Sequence, residues 1–263
     1  MPFHRWLPAA MVAPTPVSAL LHAVAVVKAG VFSVLKITLY IFGTDFIAES
    51  GASDWIIWFA GGTILLASLV AMTKDNLKAR LAYSTVSQLS YIVLGAMLAT
   101  QMGILGGSLH IAMHAFAKIT LFFAAGAILV AAHKTEVSQL NGLGRQMPLT
   151  FLFFTIGACS IIGLPPFGGM WSKWYLAMGT IEAGQWALLA VLMVSSLLNI
   201  VYLLAIPARA FLIEPKATDN QSYGEAPLTC LIAMSLTSLM CIVLFFNPEP
   251  FYSLARMLVM QEP

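Results

Sequence analysis

The sequence predicts an all-α protein, a polytopic transmembrane helix bundle of about seven spans in which one helix is broken in mid-membrane. Three observations carry that prediction. Hydrophobic residues fill 60% of the 263 positions and charged residues only 9%, with a mean hydropathy of +0.88, whereas roughly a quarter of the residues of a soluble domain are charged. The apolar residues are gathered into stretches long enough for a helix, rising about 1.5 Å per residue, to cross about 30 Å of hydrocarbon. Of the nine lysines and arginines outside those stretches, eight fall on one side of the predicted bundle, as the positive-inside bias requires.

The stretches lie near 17–42, 55–73, 81–99, 104–131, 149–178, 185–207 and 227–246. The third is interrupted by Ser84, Thr85, Ser87, Gln88 and Ser90, which predicts packing against protein or water instead of lipid. The fifth contains Gly163-Leu-Pro-Pro-Phe-Gly-Gly169. Its consecutive prolines, Pro165 and Pro166, remove amide donors and clash with the preceding turn, so the helix is expected to break there. Unpaired backbone at membrane depth is tolerated only inside protein or beside a hydrated cavity, which makes the break a candidate ion path. Pro2-Phe3 followed by Trp6 echoes Pro166-Phe167 followed by Trp171, a hint of an internal repeat. The opening residues lack the pattern of a signal peptide, so insertion is expected to use the internal helices.

On one side of the predicted bundle lie Arg5, Lys74, Lys78, Arg80, Lys134, Arg145, Arg209 and Lys216, and on the other only Arg256. This split places the start of the chain in the cytoplasm and its end on the opposite face of the cell inner (plasma) membrane. Trp6, Trp55, Trp58 and Trp186 fall near the predicted interfaces and read as belt residues. The remaining basic residues, Lys28, Lys36, Lys118 and Lys173, fall within the spans. Lys36 is close enough to a span end to snorkel.

An ionisable side chain at mid-span costs roughly 2.5 to 3.5 kcal/mol on insertion scales and usually faces the bundle interior or water. His110, His114 and Lys118 recur every four residues in the fourth span, so they climb one helix face a turn at a time. His22 and Lys28 on the first span and Lys173 on the fifth supply comparable groups, with Ser84, Ser87, Ser90 and Ser172 as hydroxyls able to hold water between them. An amine in a medium of low dielectric loses much of its preference for the charged form, and an imidazole titrates near neutrality without adjustment. Together these residues read as a proton relay. The bland alternatives are satisfied structural histidines and snorkelling lysines.

Other chemistries are poorly supported. The net charge of +2, with no basic run along the chain, argues against a nucleic-acid partner. Cys159, Cys230 and Cys241 lie in apolar runs without ligand spacing and read as small buried hydrophobes. No glutamate follows His110 as in a zinc-protease helix, so no metal site is expected. Spacing alone leaves open a haem held by His22 with His110 or His114, but no cofactor is implied.

The run from Phe3 to Gly30, with its Ala-Pro-Thr-Pro-Val-Ser-Ala-Leu-Leu-His22 core and Lys28-Ala-Gly ending, resembles the antiporter-like subunits shared by respiratory complex I (NADH-quinone oxidoreductase), membrane-bound hydrogenases and Mrp-type multisubunit cation/proton antiporters. Asp75 to Tyr91, the His110 to Lys118 ladder, and Gly142-Leu-Gly-Arg-Gln-Met-Pro148 leading to Gly163-Leu-Pro-Pro and Ser172-Lys173 agree in the same order. The resemblance implies about fourteen helices in two inverted five-helix repeats, with lysines and histidines along the midplane relaying protons. Carried over by motif position, His22 and Lys28 belong to the eighth helix, His110, His114 and Lys118 to the eleventh, and Lys173 to the broken twelfth. The earlier helices, with the family's buried glutamate and lysine pair, have no counterpart here, and no acidic residue lies well within a predicted span. Buried cations lacking a counterion are hard to keep charged, so an upstream piece or a neighbouring subunit is expected to supply one, or the lysines are largely neutral.

The sequence thus reads as the second half of an inverted-repeat antiporter-like fold. Residues 1–43 form the end of the first repeat, 44–212 the second five-helix repeat, and 213–263 a loop, the last span and the tail. The expected function is that of a proton-translocating subunit of a monovalent cation/proton antiporter, similar to a D-type or A-type antiporter chain of the Mrp branch. Expected partners are other membrane subunits of a hetero-oligomeric complex, the lipid bilayer, protons, and sodium or potassium. The rival readings are the membrane arm of an NADH-quinone oxidoreductase or hydrogenase, and an inactive remnant.

Overall fold

Apolar side chains recur without a strand-like alternation along this chain, and the computed structural model is correspondingly helical. It describes residues 4, 6–215 and 223–260, with the side chains of His22, Ala23 and Met260 excepted. In chain order the helices are α1 Trp6–Ala10, α2 Thr15–Phe42, α3 Thr44–Ser50, α4 Ala52–Thr73, α5 Leu77–Met97, α6 Gln101–Ala132, α7 Pro148–Ile162, α8 Gly169–Glu182, α9 Trp186–Leu212, α10 Leu228–Phe246 and α11 Glu249–Met260. By length and composition α2, α4, α6, α9 and α10 are able to cross a membrane. With α5 and the α7–α8 pair, they occupy the seven stretches predicted from hydropathy. The chain is a multi-pass membrane protein. The preceding Pro2-Phe3 of the repeat hint lies outside the described residues.

Local signals set the boundaries. Asn76 Oδ1 accepts from Ala79 N at 3.1 Å and Thr100 Oγ1 from Gly103 N at 3.1 Å, capping the starts of α5 and α6 as short polar side chains do. Glutamine and the serines keep α5 out of the lipid-facing class, and most of its residues are buried between neighbours. Lipid-facing helices show the converse, with Trp55, Phe59, Leu236 and Phe246 exposed.

At the centre stands α6. Its 32 residues span ~48 Å at the usual helical rise, and α2, α5, α7, α8, α10 and α11 all pack on it. Close approach depends on missing side chains: a Cβ on Gly106 would lie 2.5 Å from the Leu176 nitrogen of α8, the small-residue contact expected between membrane helices.

The two ends of the bundle differ in charge. At one end the backbone of Asn76 pairs with Glu136, Ser138 donates to Asp75 Oδ2 at 2.6 Å, Lys78 Nζ donates to the Ala13 carbonyl at 2.9 Å, and Arg145 Nε donates to the Phe211 carbonyl at 3.2 Å. The predicted alternate connections therefore meet at one basic end; Arg5 and Lys216 lie outside the described residues. The opposite end carries Asp45, Glu49, Asp54, Glu182 and Glu249, and there Met102 N donates to Glu182 Oε2 at 3.2 Å.

Two features depart from the sequence reading. Arg80, grouped with the loop cations, is buried in the first turn of α5, where Nε donates to the Lys74 carbonyl at 2.7 Å and Nη1 to the Tyr202 carbonyl at 3.3 Å. The tail, to which the sequence reading assigned no element, forms α11, whose Phe251, Ala255 and Val259 share one face at four-residue spacing and pack with Leu105, Leu109 and Met113 of α6.

The break in the fifth span falls where the prolines predicted it. Ile162 ends α7 and Gly163 turns with φ +89°, a conformation that suits glycine. A Cβ on Gly169 would stand 1.8 Å from the Ser160 carbonyl oxygen, so the two half-helices cross only because that side chain is absent. Gly169→Ala is expected to destabilise the protein by about 3 kcal/mol, seen as a lowered melting temperature. Gly62→Ala, at a position with open space, is expected to leave it unchanged or slightly raised.

Candidate functional site

Four-residue spacing on one helix puts His110, His114 and Lys118 on the same face of α6, and that face turns wholly inward: their exposures are 1%, 1% and 0%. The two imidazole centroids are 5.6 Å apart. Full burial removes the snorkelling alternative for Lys118. Helices α2, α5 and α8 supply the partners of these groups.

Lys118 Nζ donates to Ser84 Oγ at 2.7 Å and to the Leu81 carbonyl at 3.2 Å, both on α5. Lys28 of α2, also buried, is hydrogen-bonded through Nζ to His114 Nδ1. An ammonium only donates, so His114 accepts at Nδ1 when Lys28 is charged, and donates there when the amine is neutral. The pair thus has two placements for one excess proton.

His110 Nδ1 lies 2.9 Å from Ser172 Oγ on α8, and Nε2 lies 3.1 Å from Gln88 Oε1 on α5. Ser172 spends its own proton on the Gly169 carbonyl at 3.0 Å, so it accepts from His110. A Gln88 oxygen toward Nε2 fits the doubly protonated ring, and a half-turn of the amide presents a donor to the neutral ring. The site accommodates both protonation states without moving a helix. Among the described residues, the pair offers a metal one unengaged nitrogen, His114 Nε2.

Lys173 is the product of the helix break. It lies in the first turns of α8, half-buried, and its Nζ reaches back to the carbonyl of Ile162 at 3.1 Å and to Ser196 Oγ of α9 at 2.9 Å. The last carbonyls of a helix lack intrahelical partners and carry partial negative charge; the end of α7 therefore receives an ammonium. The Lys173 nitrogen is also 5.2 Å from the Tyr91 ring centroid, on whose other contact His110 stacks at 5.6 Å and 20°. Gly168, inside the break, approaches Met113 of α6 and Leu244 of α10, so the break sits at the depth of the histidines.

Of the sequence-predicted residues, the structure gathers Lys28, His110, His114, Lys118 and Lys173 around α6, beside the break containing Pro165 and Pro166. The side chain of His22 lies outside the described residues; its backbone belongs to Ser18–Ala25, where α2 is under-wound into wider turns. Such turns recur at functional sites. Lys36 is exposed, as a snorkelling residue would be. Ser84 and Ser172 bond the titratable groups directly, whereas Ser87 joins Ser68 at 2.9 Å and the Ile64 carbonyl at 3.0 Å and Ser90 bonds its own helix at Val86. Sequence reasoning missed Tyr91, Asn199 and Tyr202. The last two had a signal: Ser195, Asn199 and Tyr202 share one face of an otherwise apolar span, and all are buried.

The pattern of the family described as "NADH:quinone oxidoreductase/Mrp antiporter, TM" matches residues 1–199. The chain belongs to this family. NADH-quinone oxidoreductase subunit N of Desulforudis audaxviator (strain MP104C) is 38% identical over 213 residues, covering 80% of this chain and 42% of that protein. Hydrogenase-4 component B of Escherichia coli (strain K12) is 31% identical over 270 residues, covering 93% and 39%. The chain spans less than half the length of either relative. Its fold is also that of a chain in the Mrp complex from Dietzia sp. DQ12-45-1b, with a TM-score of 0.88 at 24% identity over 98% of this chain and 55% of the other.

Ser172→Ala leaves a buried imidazole nitrogen without its partner and is expected to cost about 1 to 3 kcal/mol, measurable as a lower melting temperature of the purified protein.

Proposed function

We propose that this chain carries protons through the membrane part of an ion-translocating complex, using Lys28, His110, His114, Lys118 and Lys173 as successive proton-binding stations, with His22 as a further member from its motif position. The observation that carries the reading is the row on α6. Three protonatable nitrogens stand a turn apart with almost no exposure, and Lys118 and His110 rest on neutral oxygens. A carboxylate locked to each amine would hold the proton in place; hydroxyls, carbonyls and an amide support it without trapping it.

Coupling of that movement to a sodium or potassium counterflow, in an assembly with other membrane subunits, is the reading favoured by the Ala-Pro-Thr-Pro-Val-Ser-Ala-Leu-Leu-His motif. A second reading, a redox-driven proton pump, is favoured by the similarity to NADH-quinone oxidoreductase subunit N. In the first case a sodium or potassium gradient drives proton movement in vesicles; in the second, proton movement follows electron transfer and ignores those gradients. The proposed location is the cell inner (plasma) membrane, with the basic end in the cytoplasm.

In the complete assembly reconstituted into vesicles, Lys118→Ala and Lys173→Ala are each expected to lower proton movement by at least about tenfold while the complex still assembles. Wild-type rates in both would remove them from the mechanism. Orientation is read by single cysteines in a background free of Cys159, Cys230 and Cys241. Thr135→Cys, at the basic end, is expected to react with an impermeant thiol reagent from the cytoplasmic side only, and Ala48→Cys from the opposite side only.

A further inference from the structure

Lys118 has a second set of neighbours that the row of histidines does not use. Beyond Ser84, the chain of polar contacts continues to Tyr202 of α9, whose hydroxyl lies 3.0 Å from Ser84 Oγ and is also hydrogen-bonded to Asn199 Oδ1. Lys118, Ser84 and Asn199 are each 0% exposed and Tyr202 is 1% exposed, in a region where isolated polar groups are costly. The Asn199 amide nitrogen is buried without a hydrogen-bond partner among the described residues.

Tyr202, at 1% exposure, also borders a cleft at the basic end. This cleft of about 350 Å³ is lined by Asp75, Arg80, Ser138, Arg209 and Tyr202 together with apolar residues, a mixed wall whose charged groups water can wet. The wide turns of α9 over Ile200–Leu204 expose the Tyr202 carbonyl to Arg80, whose Nη1 holds it at 3.3 Å. Arg80 thereby fixes the turn that carries Tyr202 beside the cleft.

We infer that Tyr202, Ser84 and Asn199 form a side entrance through which Lys118 exchanges protons directly with water at the basic end. The inference rests on the reading of Lys118 as a proton carrier. A phenol has one proton and two bonding directions here. When Lys118 is an ammonium it donates to Ser84, Ser84 donates to the Tyr202 oxygen, and Tyr202 points its proton at Asn199 Oδ1, which only accepts. When Lys118 is a neutral amine the order reverses: a hydronium in the cleft gives its proton to the Tyr202 oxygen, Tyr202 gives its own to Ser84, and Ser84 gives its own to the Lys118 nitrogen. One O–H bond breaks and one forms at each hydroxyl, so a single proton moves from water to amine and both hydroxyls are restored. Asn199 parks the phenol proton in the charged state, which makes it a positioning residue.

The test uses the complete assembly in vesicles. Tyr202→Phe keeps the ring and removes no partner of Lys118, and it is expected to slow proton movement about tenfold; Ser84→Ala is expected to do the same, with the double variant no slower than the slower single one, as for two steps of one route. A cysteine at Ala205, on the cleft wall, supplies a test independent of the polar chain: a bulky impermeant thiol reagent applied from the basic side is expected to slow transport in the otherwise native assembly and to add nothing to Tyr202→Phe. Wild-type transport in Tyr202→Phe, in Ser84→Ala, or after modification of the Ala205→Cys protein overturns the side entrance. Should Tyr202→Phe fail to assemble, the Ser84 variant and the blocked cleft decide the matter. Lys118→Ala separates the two levels: its loss of transport with an unaffected Tyr202→Phe sinks only the entrance, whereas wild-type transport in Lys118→Ala sinks the carrier reading beneath it.

Discussion

Placing protonatable nitrogens inside a membrane-spanning bundle is the constraint from which most of this structure follows. Each would be expensive alone in hydrocarbon, and His110, His114 and Lys118 lie on one face of α6 with next to no exposure. The helices packed against that face must therefore present acceptors. Here α5 supplies Gln88, Ser84 and the Leu81 carbonyl, and α8 supplies Ser172. The polarity that makes α5 a poor membrane helix by hydropathy is the same polarity that lets α6 carry its row.

The helix break solves a related problem. A continuous helix through residues 148–182 would consume all its carbonyls internally, leaving none to receive an amine at mid-depth. Interrupting it at Ile162 frees the last carbonyls of α7, and Lys173 folds back onto them. The irregular segment is in turn held by α10, where the Cys241 carbonyl accepts from Gly168 N at 2.8 Å and the Phe245 carbonyl accepts from Trp171 Nε1 at 2.9 Å. The end of the irregular segment, Gly168 and Gly169, is thus buried against protein, whereas Leu164, Pro165 and Pro166 at its start lie exposed on the surface of the chain.

The polar groups also explain how one scaffold can hold two charge states. Lys28 and His114 have two placements for one proton, Gln88 can face His110 with oxygen or nitrogen, and Tyr202 has an acceptor on either side. Each is a reorientation of a side chain or hydroxyl within fixed helices. Rigid backbone contacts such as Gly106 against Leu176 keep the helices in place while the hydrogens rearrange.

Much of this was legible in the chain itself. Hydropathy located the spans, because a helix that meets lipid must be apolar along its length. The prolines located the break, because they cannot donate, and the four-residue spacing of His110, His114 and Lys118 put them on one face. Alternating basic connections announced the two ends. Pairings between helices were not legible: that Lys28 meets His114, that Lys173 reaches Ile162 and the Tyr91 ring, and that Tyr202 backs onto Ser84 depend on how α2, α5, α8 and α9 rotate about α6. Arg80 read as a loop cation because charge alone does not reveal a carbonyl waiting in another helix, and the tail was assigned no element because the apolar face of α11 has meaning only once α6 is there to cover it. Periodicity along one helix is a local property of the backbone, fixed by the sequence; which side chain faces which across a bundle is decided by packing, and only the tertiary structure holds that information.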